Sequence, residues 1–329
     1  MNNNFFAITI GDIEGIGIEL LIKLWKNKKN NNFILFSNKE ILNNFFKKNN
    51  IKIKLKIVNH YLNKKKIKKI DFNNCLNIFD FSAKNNFENT YYSIIYSHKL
   101  TRLNYFKGII TLPLNKEKII KNLDSKFIGQ TEFFQKLDNK KISNMVFIYK
   151  KLIVVTLTTH IPLKKVNKIL SKNNFIYNKI DNINKSLNRD FKIKKPKIAI
   201  AGINPHASEN NTIGNDDEKI LCPIIKKLKK KKINIIGPIS ADSLLSVKNM
   251  KKIDCFIFNY HDQALIPFKL LSKNKGVNFT SGLDVIRVSP DFGTAYDIIG
   301  KNIATTESLI NCIKFIKKIS NNRNNFVNT

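Results

Sequence analysis

Arginine and acidic side chains are scarce in this chain of 329 residues. It has 58 lysines and arginines against 24 aspartates and glutamates, and only Arg102, Arg189, Arg287 and Arg323 are arginines. Proteins that read nucleic acids use the arginine fork for bidentate contacts to bases and phosphates. The lysines are spread along the chain among abundant Asn, Ile and Phe, the residues of AT-rich codons. We therefore interpret the net charge of +34 as composition bias and expect no nucleic-acid partner, with a functional basic patch as the alternative.

Paired cysteines and membrane-length apolar runs are also missing. The four cysteines form no C-x-x-C pair, and three lie among apolar residues, where a reduced thiol packs as a small hydrophobe. No apolar run approaches the roughly 18 residues of a membrane span, and no basic segment precedes the first apolar run. The sequence therefore predicts a soluble cytoplasmic protein that has no disulfide framework and no membrane partner.

Apolar runs of strand length alternate with helical patterns. Residues 5–10 and 33–36 are typical of buried strands, and residues 18–25 and 39–46 of amphipathic helices. The same rhythm returns at 152–157 with 163–170, at 197–203 with 217–228, and at 255–260. We predict an α/β fold with a largely parallel sheet, a surface helix and loop over 172–195, and a frayed Asn-rich tail after Ile319.

Three of the five histidines each follow an apolar strand. His160 comes after LIVVTLTT, His206 after KIAIAGINP and His261 after CFIFNY. Ligands of open α/β sheets collect at the carboxyl ends of strands, and imidazoles suit a divalent metal, so the three could share one site. The alternative is a set of ordinary loop histidines. Asp262 and Asp242 are candidates to orient an imidazole, with a helix N-cap as the other interpretation of Asp242.

Two further segments have the chemistry of a ligand site. GDIEGIG at 11–17 joins the first strand to the first helix, either as an anion-binding turn or as a plain βα turn. Lys269, Asn278 and Arg287 are all able to donate hydrogen bonds to a phosphate or carboxylate. Retention of Arg287 in an arginine-poor chain indicates a need for its planar fork, with a structural ion pair as the alternative.

Eight motifs run in order along the whole chain and resemble those of the 4-hydroxythreonine-4-phosphate dehydrogenase family. They are GDIEGIG (11–17), GQTEFF (129–134), TTHIPL (158–163), GINPHASE (202–209), SADSLL (240–245), YHDQALIPFK (260–269), GVNFTSGL (276–283) and DFGTAYDIIG (291–300). No single motif is specific, but eight in order are.

The resemblance implies two α/β/α domains with a cleft between them, like isocitrate and isopropylmalate dehydrogenases. It implies an NAD-binding domain at 1–126 and 270–329 and a metal-binding and dimerisation domain at 127–269. It also implies a homodimer whose active sites draw on both subunits. The implied residues are metal ligands His160, His206 and His261, catalytic Asp242 and Asp262, substrate contacts Gln130, Thr131, Lys269, Asn278 and Arg287, and cofactor contacts Gly293, Thr294, Ala295 and Asp297.

The implied reaction is oxidation of 4-phosphohydroxy-L-threonine by NAD or NADP with one divalent ion, Zn, Mg or Co, in vitamin B6 biosynthesis. Its 3-oxo acid product loses carbon dioxide to give 3-amino-2-oxopropyl phosphate. Dehydrogenation of phosphorylated threonate or erythronate is the nearest alternative, and an inactive lysine-rich nucleic-acid-binding protein a remote one. Gln130 and Phe292 stand where the family usually has histidine. We expect a weaker substrate contact from the uncharged Gln130, and from Phe292 an apolar face toward adenine in place of a polar contact.

Overall fold

The computed structural model describes residues 5–28, 32–62, 70–172 and 174–327. The chain divides into two compact units. Unit 1 comprises Met1–Asn139 with Leu283–Ser320, and unit 2 comprises Lys140–Gly282 with Asn321–Thr329. The strands are β1 Phe6–Thr9, β2 Phe33–Phe36, β3 Leu55–Ile57, β4 Leu76–Phe79, β5 Ile109–Thr111, β6 Asn144–Tyr149, β7 Leu152–Thr156, β8 Ile198–Ala201, β9 Ile235–Ile239, β10 Cys255–Phe258, β11 Val277–Ser281 and β12 Arg287–Pro290. The helices are α1 Ile16–Lys26, α2 Lys39–Lys48, α3 Asn86–Arg102, α4 Lys116–Asn122, α5 Gln130–Leu137, α6 Val166–Leu170, α7 Phe175–Arg189, α8 Cys222–Lys230, α9 Ala241–Leu244, α10 Val247–Met250, α11 His261–Ser272 and α12 Glu307–Val327.

The strands of unit 1 lie in the order β3-β4-β2-β1-β5-β12, and every neighbouring pair is parallel. β1 and β2 are buried along their whole length, which fits strands covered on both faces by helices. The core includes Ala7, Ile34, Phe36 and Phe134. The predicted parallel α/β architecture is thus confirmed in this unit.

The strands of unit 2 lie in the order β11-β6-β7-β10-β8-β9. β10 pairs in parallel with β7 and with β8, and β8 in parallel with β9. β6 is antiparallel to both of its neighbours. The carboxyl ends of β7, β10 and β8 therefore lie side by side at one edge, and this edge carries the histidine motifs.

The abundant asparagines begin several helices. The side chain of Asn38 accepts a hydrogen bond from the amide of Ile41 at 3.0 Å, and Asn85 and Asn115 cap α3 and α4 in the same manner. Capping satisfies amides that have no partner within the helix. Composition bias toward Asn has therefore not weakened these helix starts. None of the helices that the structure describes combines the length and apolar character needed to cross a membrane.

The unit boundaries fall at 139/140 and 282/283, whereas the sequence analysis set domain boundaries at 126/127 and 269/270. α5 lies in unit 1, and the carboxylate of Asp138 just after it accepts the backbone amide of Asp284 at 2.7 Å. β11 lies in unit 2 because it pairs with β6 over five residues. The functions assigned to the two domains stay a prediction.

The predicted fraying after Ile319 is wrong. α12 continues to Val327, and Asn322 donates to the backbone carbonyl of Asp190 at 2.7 Å. Arg323 donates to the buried Asp190 carboxylate, which also accepts from Arg189. The Asn-rich composition of the tail suggested disorder, but these bonds hold the last turns of the helix within unit 2.

Candidate active site

The three strand-end histidines follow three neighbouring parallel strands of unit 2. His160 follows β7, His206 follows β8 and His261 is the first residue of α11, after β10. All three side chains are at least partly exposed. Their positions after apolar strands predicted one shared sheet edge, and the strand order places them there.

His160 and His261 lie close together, with ring centroids 5.7 Å apart. Two imidazoles bound to one zinc ion at about 2.1 Å have centroids roughly 5 to 6 Å apart. Nδ1 of His261 lies 2.7 Å from the Asp262 carboxylate. An ionised carboxylate only accepts, so Nδ1 carries the proton and the Nε2 lone pair is left for a metal. This pair therefore fits two ligands of a divalent ion.

His206 lies in a left-handed turn. All six residues from 206 to 211 have positive φ and none is glycine. A left-handed conformation costs a non-glycine residue about 1–2 kcal/mol. Such strain persists only where neighbouring contacts impose it, and it concentrates at functional sites.

Asp242 lies in the first turn of α9, which packs against the His206 turn. Ser240, not Asp242, is the N-cap residue of this helix. The Ser240 hydroxyl donates to the Asp242 carboxylate at 2.5 Å. This bond, the Ser243 and Asp242 amides and the nearby His206 together lower the pKa of Asp242. Asp242 is thus a stable carboxylate beside one predicted ligand.

Within the described parts of this single chain, no group of three or more His, Cys, Asp or Glu side chains is placed to hold a metal ion. The structure brings together His160 with His261, and His206 with Asp242. It does not gather the three histidines of one chain around one point.

Arg287 forms a buried cationic site in unit 1. It begins β12, only 2% of it is exposed, and its guanidinium donates to the hydroxyl of Thr111 through Nε at 3.0 Å and through Nη2 at 2.6 Å. Nη2 also donates to Oε1 of Gln130, and Nη1 lies 3.5 Å from the hydroxyl of Thr131. The predicted substrate contacts Gln130, Thr131 and Arg287 are therefore adjacent, at the first turn of α5.

Burial lowers the pKa of Arg287 to about 10, while the nearby Glu132 carboxylate opposes the shift. The guanidinium remains charged at neutral pH. A buried cation oriented by neutral oxygens, beside helix N-terminal amides, is suited to an anion with several oxygens.

The predicted substrate contacts Lys269 and Asn278 lie in unit 2. Lys269 follows Phe268 on α11. The ring centroids of Phe268 and Phe147 lie 5.6 Å apart. Phe147 is in turn the register partner of Asn278 on β11. Oδ1 of Asn278 is buried without a hydrogen-bond partner, which suits an atom that accepts from a bound molecule.

The GDIEGIG turn contacts the segment that contains Gly293, Thr294, Ala295 and Asp297. The amide of Ile16 donates to the carbonyl of Thr294 at 2.9 Å. Gly11 has φ +65°, and a Cβ there would lie 2.4 Å from the carbonyl oxygen of Pro113, so this turn requires glycine. The two segments form one surface of unit 1.

A cavity of about 210 Å³ opens beside this surface. Its lining includes the carboxylates of Asp12 and Glu14 together with Lys118, and the Tyr296 hydroxyl donates to Asp12 at 2.6 Å. Gly293 leaves open space where a Cβ would lie. Carboxylates of this kind accept hydrogen bonds from ribose hydroxyls, so the cavity suits part of a nucleotide.

Sequence reasoning missed Thr111, which orients Arg287, and Asp12 and Tyr296, which bridge the two cofactor segments. Thr111 is the last residue of a buried strand, and the site histidines also come shortly after buried strands, so the same signal would have identified it. Nothing in the sequence paired Asp12 with Tyr296, which lie 284 positions apart.

Comparison with known proteins gives a consistent result. The sequence model of the family described as "Pyridoxal phosphate biosynthetic protein PdxA" matches residues 29–316. The 4-hydroxythreonine-4-phosphate dehydrogenase of Sulfurihydrogenibium sp. (strain YO3AOP1) is 36% identical over 318 residues, covering 94% of this chain and 96% of that protein. The Aquifex aeolicus enzyme of the same name is 35% identical, covering 96% and 98%. The crystal structure of the Klebsiella pneumoniae 4-hydroxythreonine-4-phosphate dehydrogenase superposes with a TM-score of 0.83 at 28% identity, covering 97% and 98%.

The fold, the strand-end histidines and these relatives define an α/β oxidoreductase of the dehydrogenase class. Both units contribute to the match, since it runs through the β-strands and motifs of each. The chain belongs to the PdxA family of pyridoxal phosphate biosynthetic proteins.

Proposed function

We propose that this protein oxidises 4-phosphohydroxy-L-threonine with a nicotinamide cofactor, NAD or NADP, in pyridoxine 5'-phosphate biosynthesis. The observation that carries the proposal is the buried Arg287, held by Thr111 and facing Gln130 and Thr131 at the start of α5. These groups hold the substrate phosphate. Lys269 and Asn278 stay the substrate contacts that the family resemblance implies. Membership of the family supports this substrate over threonate or erythronate phosphates.

A divalent ion is held by His160, His206 and His261 in this proposal. The spacing of the first and third imidazoles and the Asp262 bond to His261 fit such a centre. When bound, the ion lowers the pKa of the substrate alcohol and polarises the developing carbonyl. Asp242 and Asp262 act by orienting imidazoles, because a carboxylate with a lowered pKa, as in Asp242, is a weak proton acceptor at neutral pH.

The chain works as a homodimer whose active sites are shared between subunits. His160 and His261 form one pair and His206 lies with Asp242, so a second copy completes the ligand set. Exposed apolar side chains lie on α10 and α11 and shortly after His160, namely Val247, Ile266, Leu270 and Leu163. Apolar side chains clustered at a surface favour burial against another chain.

The segment of Gly293, Thr294, Ala295 and Asp297 holds the cofactor beside the Asp12 cavity. When bound there, a nicotinamide would supply hydride acceptance, and these residues would supply position and electrostatics. The product carries its carboxylate β to a ketone and so loses carbon dioxide readily. The four cysteines are free thiols, which supports a cytoplasmic location.

The deciding experiment measures NAD reduction by the purified protein, monitored through the absorbance of the reduced nicotinamide. We expect turnover with 4-phosphohydroxy-L-threonine and much weaker turnover with 4-phosphothreonate, 4-phosphoerythronate or unphosphorylated 4-hydroxythreonine. Equal or better turnover of a sugar-acid phosphate would overturn the substrate assignment, and equal turnover of the unphosphorylated compound would overturn the role of Arg287.

A further inference from the structure

The turn that carries His206 is held by one buried carboxylate that the reaction does not use. Asp217 follows the turn and is 2% exposed. Its Oδ1 accepts the backbone amide of Ile203 at 2.7 Å, and its Oδ2 accepts the amide of Asn204 at 3.1 Å and the hydroxyl of Ser208 at 2.6 Å. These donors lie on both sides of His206, so the carboxylate closes the turn around it.

The backbone on the inner side of the turn is equally constrained. A Cβ at Gly202 would lie 2.7 Å from Cα of Ala207 and 3.2 Å from the Asp217 carboxylate. The side-chain amide of Asn204 donates to Ser208 at 3.1 Å and to Asp216 at 3.0 Å. Glycine at position 202 therefore allows the turn to approach the preceding strand closely, and the charge of Asp217 holds the turn in place.

The left-handed backbone does not sustain itself. His206, Ala207, Ser208, Glu209 and Asn210 have φ between 41° and 69°, a region unfavourable to residues with a Cβ. Hydrogen bonds to a buried charge are stronger than neutral ones and persist away from water. Without them the turn would relax toward right-handed conformations, and the His206 imidazole would point elsewhere.

We propose that Asp217 is a positioning residue, whose carboxylate fixes the left-handed turn and so presents His206 to the divalent ion. Only the presentation of His206 to an ion rests on the proposed metal centre. Conformation of the turn is a property of the metal-free chain and is measured separately.

The test compares Asp217→Asn with the matched control Asp190→Asn. Asp190 is also a buried aspartate of unit 2, but its hydrogen bonds go to Ser186, Arg189 and Arg323. Amide hydrogen exchange of residues 203–213 is measured in metal-free protein, and Co²⁺ affinity is measured by titration of its visible absorption. We expect exchange at least tenfold faster and a Co²⁺ Kd about 10–100-fold weaker in Asp217→Asn, with neither changed in Asp190→Asn.

Unchanged exchange in Asp217→Asn, or equal effects of the two substitutions on both measurements, overturns the proposal. Faster exchange with an unchanged Co²⁺ Kd overturns the link to the metal. Failure of the unsubstituted protein to bind Co²⁺ contradicts the proposed metal centre, while the exchange data still decide whether Asp217 holds the turn. If Asp217→Asn does not fold, Ser208→Ala is the second variant. It removes one of the three bonds to the Asp217 carboxylate, together with the bond from Asn204, keeps the charge, and should weaken Co²⁺ binding about fivefold. An unchanged Kd and unchanged exchange in that variant would also overturn the proposal.

Discussion

Replacement of Arg287 by lysine separates the geometry of the proposed phosphate site from its charge. The guanidinium bonds the Thr111 hydroxyl through two nitrogens, which fixes the plane of the fork. Lysine keeps one positive charge but has a single nitrogen on a flexible stem. A single ammonium cannot reproduce the fork that bonds Thr111, Gln130 and Thr131 and also donate to a phosphate.

The expected loss follows from the number of bonds. Loss of one charge-assisted hydrogen bond costs about 1.5–3 kcal/mol, and each 1.4 kcal/mol is a factor of ten. We therefore expect the substrate KM of Arg287→Lys to rise about 10–150-fold. The cofactor KM should change little, because the proposed cofactor segment lies on other residues.

The assay is steady-state NAD reduction with each reactant varied in turn. Arg102→Lys is the matched control, since Arg102 is half exposed and lies 3.6 Å from Asp138 and 3.8 Å from Asp284. It should retain both KM values. A defect of Arg287→Lys confined to the cofactor KM, with the substrate KM unchanged, would refute the phosphate assignment.

Three further outcomes are expected. Chelation should abolish NAD reduction and added Zn²⁺, Co²⁺ or Mg²⁺ should restore it; full turnover in metal-free protein would contradict the metal centre. The variants His160→Ala and His206→Ala should each be inactive alone and should regain about a quarter of wild-type activity when they are unfolded and refolded together. Half of the dimers are then mixed, and each mixed dimer has one intact site of two. If the mixture stays inactive although mass spectrometry shows mixed dimers, both ligands belong to one chain. Burial opposes ionisation of Asp138, but the His98 bond and the amides of Asp284 and Val285 prevail and lower its pKa. The stabilising contribution of the ionised carboxylate should therefore be full above about pH 4 and be lost as pH falls below that value. Asp138→Asn should lower the free energy of unfolding at neutral pH and much less near pH 2, and a pH-independent difference would contradict this.

The α/β architecture could be predicted from the sequence because buried parallel strands such as β2 and β10 are continuous apolar runs. The strand-end positions of His160, His206 and His261 followed from the same pattern. The left-handed turn at His206 could not be predicted, since its sequence contains no glycine and local propensity opposes it. Tertiary contacts to Asp217, eleven positions later, impose that conformation.

The prediction that the C-terminal segment frays was wrong for a similar reason. Composition describes what a segment prefers in isolation, and an Asn-rich tail prefers solvent. Arg323 and Asn322 instead find Asp190, which is more than 130 positions away. Long-range polar pairing of this kind leaves no periodic signal in one sequence.

The division of the chain into units has a consequence for the order in which it folds during synthesis. Unit 1 needs Leu283–Ser320 to complete its sheet with β12, so its sheet stays unfinished until the inserted segment and β12 have left the ribosome. The inserted segment Lys140–Gly282 is continuous, and its strands β6 and β11 pair antiparallel with Asn144 opposite Ser281. Once that pair forms, the two ends of the insertion lie side by side. The free-energy cost of closing a loop of roughly 140 residues, about 4 kcal/mol, has then already been met within unit 2. Arg287, at the start of β12, then joins β5 and α5, so the Arg287 site that we assign to phosphate forms only after the inserted segment has been made.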